Sequence, residues 1–241
     1  MITGIVVALP EELATLVSGK VEKGDVVALT PNTLIAFAGA GCENAGQASE
    51  ALIRRGADQL ISWGCAAALS PELKPGDLVV ADAFLSPQRP AIPGDNEWAE
   101  HTKLTLTDKI TVYIGKLVST PTIVADSRDK QALYAHTAAL AVDMESYALA
   151  AAADKAALPC LTIRTIADPA DMSLPNAVCQ ALNDAGDIEL PELISHVLKH
   201  PQEIPALIKL GLHFSAAKKT LKYTSQYLDK ITEFYANKTE H

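Results

Sequence analysis

Four short apolar runs, Gly4 to Leu9, Gln59 to Trp63, Leu78 to Ala81 and Leu161 to Ile166, each break off at a polar or glycine-rich loop. Short runs dominated by apolar residues read as buried strands. Helical patterns separate them: one opened by Pro10-Glu11-Glu12, one from about Asn44 to Arg55, one near Arg128 to Ala139 and one from Ser146 to Lys155. A hairpin is expected around Thr30-Pro31-Asn32, and further strands at Lys116 to Thr120 and Ala141-Val142. The sum is an α/β fold with three layers, α/β/α, and a mixed central sheet. Apolar residues make up 49% and aromatics only 5%, which also favours a helix-wrapped sheet over an aromatic-rich sandwich. The chain of 241 residues suits a single domain over 1–241, with a C-terminal helical extension over about 186–241. Leu85 to His101, rich in Pro and charge, is expected to be irregular and mobile.

Charge and cysteine usage remove several classes. A net charge of −9 argues against nucleic-acid binding. Cys42, Cys65, Cys160 and Cys179 are scattered, with neither CxxC nor zinc-ligand spacing, so free thiols and no metal are expected. Met1 runs straight into Ile2-Thr3-Gly4-Ile5 without a basic flank, so no secretory leader is expected. No apolar run reaches the roughly 18 residues of a membrane span, and a soluble cytoplasmic protein is the expectation. From His196 onward the chain carries about +3 and the remainder about −12. Leu207, Leu210, Phe214, Ala217, Leu221, Thr224, Leu228, Ile231 and Tyr235 step by three or four along that tail, one face of a long helix or of two abutting helices. Two readings fit: packing on the body or a second subunit, and a basic amphipathic helix making peripheral membrane contact.

Chemistry-bearing residues gather where strands end, the edge at which α/β folds hold ligands. Gly39-Ala40-Gly41 before a helix is not a dinucleotide fingerprint, because Asn44 stands where the third glycine belongs; a tight turn is the better reading. Glu11 and Glu12 follow the first strand, Met144-Glu145 opens a helix, and Asp168 ends a strand before Pro169. Each acid alone reads as a dipole-satisfying or capping group. Together they place three carboxylates and a methionine at one edge.

The order Gly39-x-Gly41-x-x-Asn44-Ala45, a strand followed by a Gly-x-Ala-like turn at Gly64-Cys65-Ala66 and by Pro75-Gly76-Asp77, then Asp143-Met144-Glu145, then Arg164-x-Ile166-x-Asp168 resembles the nucleoside phosphorylase and nucleosidase superfamily over roughly residues 2–175. The front is similar to methylthioadenosine/S-adenosylhomocysteine nucleosidases. From Met144 onward, through Asp168-Pro169-Ala170-Asp171 and His200-Pro201-Gln202-Glu203-Ile204-Pro205, the chain resembles the hopanoid-associated phosphorylase branch, which is linked to removal of adenine from adenosylhopane. The resemblance implies that Asp168 is the general acid at purine N7, that Glu12 polarises the attacking water, that Glu145 binds the ribose hydroxyls and that Met144 packs on the sugar. It also implies substrate contacts from Cys65 and Ala66, base recognition near Thr122, Ile123 and Val124, and a homodimer. Anionic groups beneath the sugar suit a ribosyl-cation transition state. Burial and the neighbouring Asp171 are expected to raise the pKa of Asp168.

The superfamily's turn commonly reads Gly-Ser-Ala-Gly-Gly-Leu, whereas here it is Gly64-Cys65-Ala66-Ala67-Ala68-Leu69, and the Ser usual before the Asp is Ala167. Cys65 has no neighbouring His to activate it as a nucleophile. Two acids and no Arg after the first strand would repel phosphate, which favours water, with inorganic phosphate as the alternative co-substrate and no other cofactor. Arg164 is expected to form a structural ion pair. The expected reaction is hydrolytic release of adenine from a lipid-linked adenosyl compound such as adenosylhopane. The alternatives are a purine nucleoside phosphorylase, a methylthioadenosine/S-adenosylhomocysteine nucleosidase, and a non-catalytic nucleoside-binding protein.

Overall fold

The computed structural model describes residues 1–106, 109–181 and 189–238. Strand β1 (Thr3–Val7) is buried along its whole length and runs into α1 (Pro10–Leu13), with Pro10 at its first position. Strands β2 (Val26–Thr30) and β3 (Thr33–Phe37) form the expected antiparallel hairpin, and β3 lies parallel to β1. There follow α2 (Cys42–Arg54), β4 (Gln59–Ala68), β5 (Leu78–Ser86), β6 (Arg89–Pro93), α3 (Asn96–Leu106) and β7 (Val112–Ser119). After α4 (Ser127–Thr137) come β8 (Ala141–Asp143), α5 (Ser146–Lys155), β9 (Cys160–Asp168) and α6 (Asn176–Ala181). The tail is helical: α7 (Leu190–Lys199), α8 (Ile204–Thr224), α9 (Leu228–Thr232) and α10 (Phe234–Lys238). The expected start of the extension, near 186, lies outside the described residues.

The sheet is mixed. β1 pairs in parallel with β3 and β4, β4 with β9, and β7 with β5 and β8, whereas β8 meets β4 and β5 meets β9 antiparallel. The pairings β4–β9–β5–β7–β8–β4 return to their start, so this half of the sheet closes on itself. Alternation along the strands feeds two apolar layers. Val6 and Leu60 join Leu52 of α2 and Leu149 of α5; Ile5, Ile61 and Trp63 face the other way, toward Trp98 of α3 and Leu221, Leu228 and Ile231 of the tail. The second half of the predicted tail stripe thus packs on the body. Trp98 Nε1 donates to the Ile231 carbonyl (2.7 Å) and Trp63 Nε1 to Thr15 Oγ1 (3.0 Å).

Two local expectations fail. The turn expected at Gly64–Leu69 is strand: β4 continues to Ala68 because Cys65 and Ala66 pair with Thr165 and Ile166, while Ala67 and Ala68 pair with Val142 and Ala141. Leu85 to His101 is regular: β5 reaches Ser86, β6 follows, and α3 begins at Asn96. Pro90 and Pro93 fit there because β6 is an edge strand, which leaves prolines without a ladder bond to lose. Asp95 caps α3, its Oδ1 accepting from the Trp98 N–H at 2.9 Å. No helix among the described residues is long and apolar enough to cross a membrane.

Candidate active site

Glu12 is held in the first helical turn after β1, yet it is buried. Its Oε1 accepts from the Cys65 N–H (2.7 Å) and its Oε2 from the Leu9 N–H (3.0 Å). Gly64 makes this possible, since a Cβ there would sit 2.6 Å from Oε1, inside van der Waals contact. Burial pushes the Glu12 carboxyl above the usual range, and the Arg164 guanidinium and the backbone N–H donors oppose it.

Glu145 comes from the β8–α5 junction. Its Oε1 accepts from the Gly41 N–H at 2.8 Å, and its Oε2 lies 3.6 Å from Arg164 Nη2. Gly41 has φ +99°, a conformation that favours glycine, so the tight turn foreseen at Gly39–Gly41 aims an N–H at the acid. Burial first, then repulsion from Asp143, pushes Glu145 up to about 7 against the pull of Arg164. Met144 is half-buried and lines a cavity of about 480 Å³, together with Cys42, Arg89, Ser119, Pro121 and Tyr147.

Asp143 and Arg164 tie these groups together. Arg164 Nε donates to Asp143 Oδ2 (2.8 Å) and Nη2 to Ser62 Oγ (2.8 Å), whereas the buried Nη1 has no partner among the described residues. Ser119 and Ser146 donate their hydroxyls to the same aspartate. The ion pair foreseen for Arg164 therefore exists, and it also faces the site. The motif alone assigns Asp143 no role, although a buried arginine one strand away needs a carboxylate.

Asp168 lies elsewhere on the edge. It ends β9 beside Ala67 of β4, past a bulge at Ala167, and like Glu12 and Glu145 it does not line the cavity beside Met144. Its Oδ2 accepts from Lys130 Nζ at 2.5 Å, and Oδ1 is buried without a partner among the described residues. Burial raises its pKa above the usual range, Lys130 opposes that, and Asp171 adds a smaller push upward. The structure thus brings Glu12 and Glu145 together around Arg164 and pairs Asp168 with a lysine absent from the sequence reading. Ala66 is buried in β4, and Thr122, Ile123 and Val124 form the loop after β7, on the same edge. The Cys65 thiol lies 3.6 Å from Thr165 Oγ1, and burial and Glu12 push its pKa far above the thiol range, which leaves it unfit as a nucleophile. Among the described residues no group of three or more His, Cys, Asp or Glu is placed to hold a metal ion.

A mixed sheet between helices, with buried carboxylates drawn to one arginine at its carboxyl edge, defines an α/β enzyme of the phosphorylase type. The chain belongs to the phosphorylase superfamily, which matches residues 3–189. No curated protein sequence matches it. Solved structures share the fold: a mutant 5′-methylthioadenosine/S-adenosylhomocysteine nucleosidase of Helicobacter pylori with 5′-methylthioadenosine in the active site is 18% identical, with TM-score 0.70 over 96% of this chain and 98% of that one. The futalosine hydrolase of Helicobacter pylori is also 18% identical (TM-score 0.69, 96% and 97% covered). The 5′-methylthioadenosine/S-adenosylhomocysteine nucleosidase of Neisseria meningitidis in complex with methylthio-immucillin-A is 21% identical (TM-score 0.67, 96% and 98% covered).

Proposed function

We propose that the protein cleaves the N-glycosidic bond of an adenosine-like nucleoside with water and releases adenine. The observation that carries this reading is the approach of Glu12 and Glu145, far apart in sequence, to one buried arginine whose charge Asp143 already balances. With either glutamate ionised the cluster is net negative, which stabilises a ribosyl cation and disfavours a phosphate nucleophile. In this reading Glu145 accepts hydrogen bonds from the ribose hydroxyls, Met144 packs on the sugar, Cys65 and Ala66 border it, and Glu12 takes a proton from the attacking water. Asp168 lies four residues beyond Arg164, at most about 13 Å along an extended strand, so the base would lie toward the strand end. The loop at Thr122, Ile123 and Val124 would then border the base.

Nucleosidases of methylthioadenosine and a futalosine hydrolase share this fold, which leaves the group on ribose C5′ open. We assign it to a lipid-linked adenosyl compound of the adenosylhopane kind. Supporting this are the motif resemblance and the exposed side chains of Ile194, Leu198, Ile204, Ile208 and Leu212 on α7 and α8, beside Lys199 and Lys209. A homodimer in which a second copy closes the cavity beside Met144 completes the reading.

The test is to incubate the protein with adenosyl nucleosides and measure free adenine. Release should occur without phosphate and fall by about 10²–10⁴ in Asp168→Asn, the usual worth of a general acid. Ribose-1-phosphate formed on adding phosphate would overturn hydrolysis. Binding without turnover would make this a nucleoside-binding protein.

A further inference from the structure

Lys130 is fully buried, although its neighbours on α4, Arg128, Asp129 and Gln131, are exposed. An unpaired ammonium would be costly there. Its Nζ meets three acceptors: Asp168 Oδ2 (2.5 Å), the Met172 carbonyl (2.8 Å) and the Pro169 carbonyl (3.2 Å). An ammonium has three N–H donors, so the three acceptors match its charged form. The loop that carries these carbonyls is fastened to the start of α4, Leu174 N–H donating to the Ala125 carbonyl (2.9 Å) and Ser127 N–H to Ser173 Oγ (3.0 Å). Ala167, just before the aspartate, has no polar side chain to share the task.

Lys130 therefore occupies one oxygen of Asp168 and leaves the other, Oδ1, buried and without a partner among the described residues. We propose that Lys130 is the positioning residue of the general acid: it fixes Oδ1 as the oxygen that carries the transferable proton, and its ammonium sets how readily that proton leaves. This rests on the nucleosidase reading. As the glycosidic C–N bond breaks, its electron pair goes to the base, and the Oδ1 proton passes to a ring nitrogen. The aspartate left behind is an anion with the Lys130 ammonium already against Oδ2. Water adding to the sugar carbon gives its proton to Glu12, and solvent returns the balance. The other titratable groups around Asp168 among the described residues are Asp171, in the loop before α6, and Cys179 of α6, with His213 of α8 within electrostatic reach of Asp171. None of these supplies a second fixed cation.

A neighbouring ammonium favours the ionised carboxyl, so its removal must raise the pKa of Asp168, by about 1–3 units for a contact this close. The rate needs protonated Asp168 and falls as pH rises through that pKa. The experiment compares the pH profile of adenine release in the wild type, Lys130→Gln, Lys130→Met and Lys130→Arg. The neutral variants should move the alkaline fall upward by about 1–3 pH units, with Arg keeping it near the wild-type position. Gln retains donors for the loop carbonyls, which protects the test against a Met variant that fails to fold. A ¹³C titration of the aspartate carboxyls, with Asp168 assigned by its loss in Asp168→Asn, reads the same shift without substrate. A wild type without turnover would therefore sink the nucleosidase reading and leave this proposal still open to test by that titration. An unmoved titration or limb in Lys130→Gln, whatever its rate or melting temperature, overturns the proposal and leaves Lys130 a structural tie.

Discussion

Glu145 shows what an acid cluster costs the fold that holds it. Three carboxyls, Glu12, Asp143 and Glu145, act on one guanidinium, and burial and repulsion raise Glu145 to about 7. A carboxyl whose folded pKa lies above its unfolded value binds extra protons in the folded state. Its contribution to stability is therefore intact near pH 4 and is lost as pH rises toward and past about 7. Glu145→Gln should accordingly raise the melting temperature at pH 8 while changing it little at pH 5, and it should lower affinity for the nucleoside. Calorimetry at the two pH values checks this; an equal shift at both would contradict the assigned titration. Glu12, Glu145 and Asp168 were legible in the sequence because each follows an apolar run and stands within two residues of a proline or methionine. Lys130 was not, because a lysine within Arg128-Asp129-Lys130-Gln131 reads as a solvated helix face. Its burial is decided by the loop at 169–174, forty residues downstream.

Among the elements, β4 is where reading and structure part most usefully. Gly64 and the alanines after it looked like a turn, because glycine and small residues break local patterns. Long-range pairing with β9 and β8 overrides that local weakness, and the missing side chain of Gly64 is used for the approach of α1. Gly64→Ala should force Glu12 from its place, costing about 1–3 kcal/mol as an overpacked site. Activity should fall further than stability, because the displaced Glu12 loses its hydrogen bond from the Cys65 N–H. Denaturant melts alongside adenine release would show it; full activity in the variant would mean that Glu12 needs no fixed position. The hairpin, α5 and the apolar strands could be read because each obeys a single local period. The edge strand β6 and α3 were hidden by their prolines and charges, although Asp95 three residues before Trp98 was a usable capping signal.

For the whole molecule, charge and apolar surface are arranged along one axis of the sequence. The body carries about −12 and the tail about +3. The tail stripe that sequence spacing picked out turns inward from Ala217 onward, whereas Ile204, Ile208 and Leu212, a second row at intervals of four, face outward. Ile208 and Leu212 are 60% and 67% exposed, more than a soluble helix needs, and Lys199 and Lys209 lie beside them. An anionic lipid surface would repel the body and attract this end, so charge would fix the orientation of any docking. The protein should sediment with phosphatidylserine-containing vesicles and less with neutral ones, and binding should weaken as salt is added. Replacing Ile208 and Leu212 by Ser should abolish binding, since each buried aliphatic side chain is worth about 1.5–3 kcal/mol, while leaving turnover of a small water-soluble adenosyl nucleoside intact. Binding that survives the double substitution, or that ignores lipid charge, would remove the membrane from the account and with it the main physical reason for choosing a lipid-linked substrate.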